Sequence, residues 1–447
     1  MPSFAGIDSS KSPIIIARRV PQHFVAHLLY QKIHMASRLR IFSGARNREI
    51  TPQRKRILFV SHEATRTGAP RIILNILKHF HNNCDVQCET ILHNGGHLAS
   101  EFSEVSRTTC LNLPRHESDS LHKKVRRFVQ NEKGNLPVMA ICNSMESRHI
   151  SCALAQLNIP VISLVHELPS SYKEKDYRPV FDISRKIVFP VKAVRDATDK
   201  AFPVPSGKDV VLPQGLLDPD FGSRINRKEA MQQIRKELVL PHDAFIVLGC
   251  GTLDLRKGID HFISIAKQVI AQNKSKTPIH FVWVGDGPRW AHSPFHYLQL
   301  DLSRSNVENY VHFIGERENV EPFFVGSDAF LLPSRVDPFP CVIHEAMAAG
   351  LPVIAFDESG GAREALADGA GFVVPYGDYD LASNVIRMLV TQPEIALGIR
   401  ETSLQRVHSK YRFSDYADQL IDMAEALLGT SIRNQQSRKT VPLRIAA

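Results

Sequence analysis

From residue 56 onward, short apolar runs alternate with stretches in which apolar residues return every three or four positions. Arg56-Ile-Leu-Phe-Val-Ser-His62 reads as a strand buried on both faces, and Arg71-Ile-Ile-Leu-Asn-Ile-Leu-Lys-His-Phe80 carries the stripe of an amphipathic helix. The loop between them, Glu63–Pro70, contains Gly68, where backbone can approach a phosphate, and Pro70, which suits a first helical turn. The alternation continues, with strands predicted at Glu89–His93, Thr108–Leu113, Val138–Asn143, Val161–His166, Lys186–Val191 and Val210–Pro213. Helical stretches such as Leu121–Gln130 and Ser147–Leu157 lie between them. Strand following helix in this way predicts a parallel sheet covered on both faces.

The pattern restarts after a polar, turn-rich stretch at Asp218–Arg227 and a charged helix at Glu229–Leu238. Strands are predicted within Phe245–Thr252 and His280–Pro288, each ending in a Gly turn, at Val311–Glu316, up to Leu331, after the Gly350 helix end and Pro352 stop as far as Phe356, and at Gly371–Pro375. Helices are predicted at Ile259–Ile270, Val320–Ser327, Ala362–Leu366, Asp378–Thr391, Glu394–Lys410 and Ser414–Leu428. The fold class is therefore α/β, with two doubly wound, Rossmann-like domains. Ligands of such sheets bind beyond the carboxyl ends of the strands, so His166, at the end of the fifth strand, is at the right end to meet one. There is no G-x-G-x-x-G, so a dinucleotide cofactor is not expected.

Composition changes this picture mainly at the ends. The net charge is +9, but residues 1–56 hold eleven Lys/Arg against two acids, and residues 430–447 hold four against none, so 57–429 carry −4. A mildly acidic body argues against nucleic acid as a partner, and basic ends favour an acidic membrane surface. Phe24–Phe42 places apolar residues at helical spacing among basic ones, which fits adsorption on acidic lipid, packing on the body, or an organelle transit peptide. No apolar run is long enough to span a bilayer. Seven scattered cysteines form neither C-x-x-C nor a zinc frame, which points to a reducing cytoplasm, at the inner face of a membrane if the basic ends adsorb there.

The stretch Leu331-Leu-Pro-Ser-Arg-Val-Asp-Pro-Phe-Pro-Cys-Val-Ile-His-Glu-Ala-Met-Ala-Ala-Gly350 carries the densest chemistry. It reads as a strand end, a stiff Pro-rich turn holding Asp337, and a helix beginning near Cys341 with Glu345 one to two turns in. Pro338 and Pro340 fix the backbone, Phe339 is an apolar anchor, and the first N–H groups of the helix, at Cys341 and Val342, suit an anion.

This stretch resembles the acidic motif of the retaining GT-B glycosyltransferases, in particular glycosyltransferase family 4 (glycosyl transferases group 1), with Asp337 where the family usually has Glu. Ser61–Pro70 is similar to the family's donor-phosphate loop, Lys257-Gly258 to its phosphate-binding Lys-Gly, and Val284-Gly-Asp-Gly-Pro288 to a turn that shapes its nucleotide pocket. Leu212-Pro-Gln-Gly215 resembles the turn closing its first domain. The resemblance covers about residues 56–425. It departs from the family at Gly251, where a second phosphate-binding Arg is usual, and Arg256 is the candidate replacement.

Composition at the ends and the resemblance between them give the following layout: a basic N-terminal extension with an amphipathic helix (1–55), an acceptor domain (56–216), a nucleotide-sugar donor domain (217–410), a helix crossing back to the first domain (411–429) and a basic disordered tail (430–447). It implies a hexosyltransferase-like activity, retaining and metal-independent, that moves sugar from a nucleoside-diphosphate sugar to a glycan or lipid-linked acceptor in polysaccharide biosynthesis. No cofactor or metal is expected. Catalytic roles fall to Asp337, His166 and Lys257. Donor contacts fall to Gly68, Arg256, Lys257, Gly315, Phe339, Pro340, Cys341, Val342 and Glu345, with Glu345 holding the ribose. Paired carboxylates also occur in glycosidases, but a loop acid and a helix acid eight residues apart would meet one side of a ligand. A scaffold that binds nucleotide sugar without turnover, and a GT-B epimerase, stay open at this point.

Overall fold

The computed structural model describes residues 54–112, 118–130, 135–287, 290 and 292–440. The amphipathic helix expected in the basic extension lies outside them. Strands β1 (Lys55–Ser61), β2 (Val86–Leu92), β3 (Arg107–Cys110), β4 (Met139–Asn143), β5 (Val161–Leu164), β6 (Ser184–Phe189) and β7 (Asp209–Val211) form one sheet in the order β3-β2-β1-β4-β5-β6-β7. A second sheet, β10-β9-β8-β11-β12-β13, is built from β8 (Phe245–Cys250), β9 (Ile279–Val284), β10 (Val311–Phe313), β11 (Ala329–Leu332), β12 (Val353–Phe356) and β13 (Phe372–Val374). Every pairing is parallel. The apolar runs are central: Ile57 to Val60 and Ile246 to Leu248 are fully buried. Chain order reverses between β1 and β4 in one lobe and between β8 and β11 in the other, which creates two switch points where loops part and a ligand can enter.

Two segments join the lobes side by side. Leu216 N donates to Tyr411 O at 2.8 Å, and Leu216 bridges Arg412. Gly215 has φ +67°, and a Cβ there would stand 2.4 Å from Tyr411 O, so only glycine lets the two segments lie this close. The helix Phe413–Leu428 then packs on the helix Gly68–Asn83 of the first lobe, with Tyr416, Leu420, Ile421 and Ala424 in one apolar cluster with Ile72, Ile76 and Phe80.

The basic tail differs from its expectation as far as Thr440. Ile432 is buried, Asp85 N donates to Ile432 O at 2.8 Å, and residues Gln435–Thr440 form a short helix. Arg433, read as tail charge, is buried and paired with Glu425 at 2.8 Å and Asp422 at 2.7 Å. Its neutralisation, invisible to composition, lets the segment strap the crossing helix to the first lobe. Among the described residues no helix is long and apolar enough to cross a membrane.

Candidate functional site

The second lobe builds its half of the site by lacing two loops together. After β8 the chain turns through Asp254, whose Oδ1 accepts from Lys257 N at 2.8 Å. Gly258 follows with φ +75°, where a Cβ would fall 1.9 Å from Pro333 O at the end of β11. Arg335 N donates to Arg256 O at 2.8 Å. The loop carrying Lys257 and the loop carrying Asp337 are therefore one rigid unit over the β8/β11 switch point.

Within that unit Lys257 Nζ lies 2.7 Å from Asp337 Oδ2, and Ser334 Oγ donates to the same oxygen at 3.0 Å. Asp337 is only 6% exposed. Its N donates to Ser359 O, and Gly361 N donates to Pro338 O, each at 2.7 Å, so the loop after β12 holds the carboxylate in place. Phe339 is buried against His344 and Tyr411, at centroid distances of 4.7 and 5.9 Å, and its carbonyl accepts from Gln214 Nε2 at 3.0 Å. Pro340 precedes the helix Cys341–Ala348, whose first amides have no partner within the helix. Glu345, 4% exposed, pairs with Arg71 Nη1 at 2.9 Å. Burial pushes the thiols of Cys341 and Cys250 up to about 12, so neither is a thiolate nucleophile at neutral pH.

The first lobe contributes the other wall. Gly68 opens the helix Gly68–Asn83, and a Cβ built there would meet Cys341 Sγ at 3.5 Å, so the two helix starts face each other closely. His166 lies beyond β5, with Nε2 2.8 Å from Asn143 Oδ1. Asn143 Nδ2 donates to Ala69 O at 2.9 Å, which orients the amide and makes His166 Nε2 the donor. Burial first, and the nearby His62 second, bring the His166 pKa down to about 4. The ring is then neutral at pH 7, and Nδ1 is an acceptor. The neighbouring Glu167 accepts from Ser144 Oγ, Met145 N and His166 N, which fixes the strand ends around that ring.

Not every expected residue converges. Lys257, Asp337, Phe339, Pro340 and Cys341 sit on the laced loops, and Val342 follows on the same helix start. Arg256 is exposed, with Nη1 on Val336 O at 3.1 Å. Gly315 pairs with Gly285 beyond β9, and no recorded contact ties it to Asp337 or Glu345. Three side chains that contact these residues or brace their loops escaped the sequence reading: Ser334, Arg71 and Glu364. Glu364 accepts from Lys192 N at 3.1 Å and Ala193 N at 2.7 Å, and so caps the first-lobe helix Lys192–Ala201, which has no side-chain cap of its own. Because Glu364 follows the loop that holds Asp337, this cap links lobe contact to the acidic loop. Glu364→Ala is expected to cost about 1 kcal/mol in urea unfolding, with Glu364→Gln recovering part of it. Equal stability of Glu364→Ala and the parent would refute the cap.

Residues 244–391 match the family described as Glycosyl transferases group 1. The second lobe is a group 1 glycosyl transferase domain. Among curated relatives, N-acetyl-alpha-D-glucosaminyl L-malate synthase of Bacillus anthracis is 24% identical over 237 residues, 53% of this chain and 58% of that protein. The UDP-Gal:alpha-D-GlcNAc-diphosphoundecaprenol alpha-1,3-galactosyltransferase of Escherichia coli is 25% identical over 213 residues, 48% and 53% of the two chains. The chain thus spans little more than half the length of these relatives. HepE of Anabaena, solved with UDP and glucose, superposes with a TM-score of 0.72 at 19% identity, over 83% of this chain and all of that one. At that identity the likeness shows the fold, which is GT-B.

Proposed function

We propose that the chain is a retaining glycosyltransferase that moves a sugar from a nucleoside-diphosphate sugar to a glycan or lipid-linked acceptor. The observation that carries this reading is the Lys257–Asp337 pair at 2.7 Å, held by two laced loops beside an anion-accepting helix start. Lys257 Nζ would leave Asp337 for the diphosphate and stabilise its charge as it departs. Asp337 and the acceptor nitrogen of His166 would then orient sugar hydroxyls, and Glu345 would hold the ribose. The acceptor oxygen attacks the anomeric carbon on the face the phosphate leaves, the bond from that carbon to the phosphate oxygen breaks, and the acceptor proton passes to the departing phosphate. Protein cations and helix amides carry the phosphate charge in this scheme, so EDTA should leave activity unchanged. The Escherichia coli relative is named for a lipid-linked acceptor, and the basic ends of this chain would bring it to acidic lipid where such acceptors reside.

The test is thermal-shift binding of UDP, GDP, ADP and their sugar conjugates to the full chain in EDTA, beside Glu345→Ala. Stabilisation by one nucleoside diphosphate, lost in the variant, supports the reading. No stabilisation of a folded protein by any of them overturns it. Binding without release of nucleoside diphosphate from its sugar conjugate would leave a nucleotide-sugar-binding scaffold.

A further inference from the structure

We propose that Arg71 supplies the second cation for the donor diphosphate, carried across the cleft on the first helix of the first lobe. This rests on the donor reading above and adds a residue to it.

The second lobe offers one well-placed cation. A Cβ built at Gly251 would lie 3.3 Å from Lys257 Cδ and 3.4 Å from Cε, so the position alongside the Lys257 stem carries no side chain. Arg256 is exposed and bonded to Val336 O, and Arg335 is committed to Asp260 through both of its terminal nitrogens, at 2.7 and 2.5 Å. A departing nucleoside diphosphate carries more than one negative charge, and Lys257 alone does not balance it.

Arg71 meets the need from the opposite wall. It lies in the first turn of the helix Gly68–Asn83, three residues beyond Gly68, and that turn holds no acidic residue. A cation there opposes the helix dipole, so local helix energetics do not account for it. Its side chain is one-third exposed and pairs with Glu345. Among the described residues Nη1 to Glu345 is the one hydrogen bond recorded for its guanidinium, which leaves several donors of the planar fork for a phosphate. Burial is the largest single influence and works against the charge, but the attraction and hydrogen bond of Glu345, together with the nearby Cys341 and Cys250, raise the pKa on balance, so Arg71 is a fixed cation. Its partner Glu345 sits on the helix Cys341–Ala348, whose start faces Gly68 at the beginning of the helix that carries Arg71. When Glu345 turns to ribose hydroxyls, the guanidinium is released toward the phosphates between Glu345 and Lys257. A donor bound this way bridges both lobes.

The experiment compares binding of nucleoside, nucleoside monophosphate and nucleoside diphosphate by calorimetry, in the uridine, guanosine and adenosine series, to the full chain and to Arg71→Gln. The expected result is a ten- to hundredfold loss of affinity for the preferred nucleoside diphosphate, with nucleoside affinity changed less than about twofold. Arg71→Lys should recover part of the loss. It keeps the charge and reads the same preference should Arg71→Gln unfold. Arg178→Gln, which breaks an exposed pair with Glu174 away from the site, should leave the preference intact. Equal weakening of nucleoside and diphosphate would reduce Arg71 to a partner of Glu345, and an unchanged diphosphate affinity would exclude it from the site; either overturns the assignment while the donor reading stands. Absence of diphosphate binding by the parent chain overturns both.

Discussion

Lys257→Ala is expected to slow release of nucleoside diphosphate from a saturating nucleotide sugar by about a hundred- to a thousandfold. The bound donor already carries negative charge on both phosphates, and the charge that Lys257 would meet grows further as the glycosidic phosphate departs. Losing the cation therefore costs more in the transition state than in the ground state, and kcat and kcat/KM fall together. Glu345→Ala should behave differently, because its carboxylate would hold the ribose equally before and during transfer: KM rises and kcat moves little. Single-turnover release separates the two. A Lys257→Ala enzyme within a few-fold of the parent in kcat would sink the assignment. The variant also leaves the carboxylate of Asp337, 6% exposed, without its cation, at a cost of roughly 3 kcal/mol. Assaying Lys257→Ala well below its own melting temperature keeps the variant folded, so a rate loss measured there is chemical and not a consequence of unfolding.

The two sheets were legible because strands buried on both faces must read as unbroken apolar runs, and helices between them must carry a stripe. The second-lobe half of the site was legible for a related reason: Lys257-Gly258 and Pro333–Glu345 are local motifs whose geometry their own neighbours enforce. Arg71 was not, since its partner Glu345 lies 274 residues away and the contact exists only because two lobes meet. Its signal was indirect, a cation where the helix dipole disfavours one. Glu364 is similar, as it caps a helix of the other lobe. Arg256 shows the opposite case. Sequence proximity to Lys257 suggested a phosphate ligand, whereas Arg256 in this structure is exposed and bonded to Val336 O. The tail to Thr440 was misread because composition counts the charge of Arg433 and not the three acids of the crossing helix that surround it.

Acid should unfold this protein well above the pH at which its carboxylates titrate, and His344 should account for a measurable part of that. His344 is fully buried, one residue before Glu345, between the rings of Phe339 and Tyr411 at 4.7 and 4.8 Å. Neither ring nitrogen has a protein hydrogen-bond partner among the described residues, and burial brings its pKa down to about 3. Burial likewise brings His166 and His280 to about 4. These folded-state values lie below the value of about 6.5 in an unfolded chain. The stability from keeping the rings neutral is therefore complete above pH 6.5. It declines as pH falls through the window down to 4 or 3, where the unfolded chain binds protons that the folded chain refuses. Each such ring costs up to about 1.4 kcal/mol per pH unit, so three together consume a marginal stability within one or two units. His344→Leu should differ little from the parent in urea unfolding at pH 8 and exceed it by about 2 kcal/mol at pH 5. The same gain at both pH values would mean that His344 matters only through packing. No gain at pH 5 would mean that the imidazole takes up its proton without breaking the hinge. Because this ring packs under Phe339 and against Tyr411, its protonation would loosen the anchor of the acidic loop and one of the two segments joining the lobes. Donor binding by the parent should therefore weaken on the acid side before the sheets unfold, and His344→Leu should carry binding to lower pH.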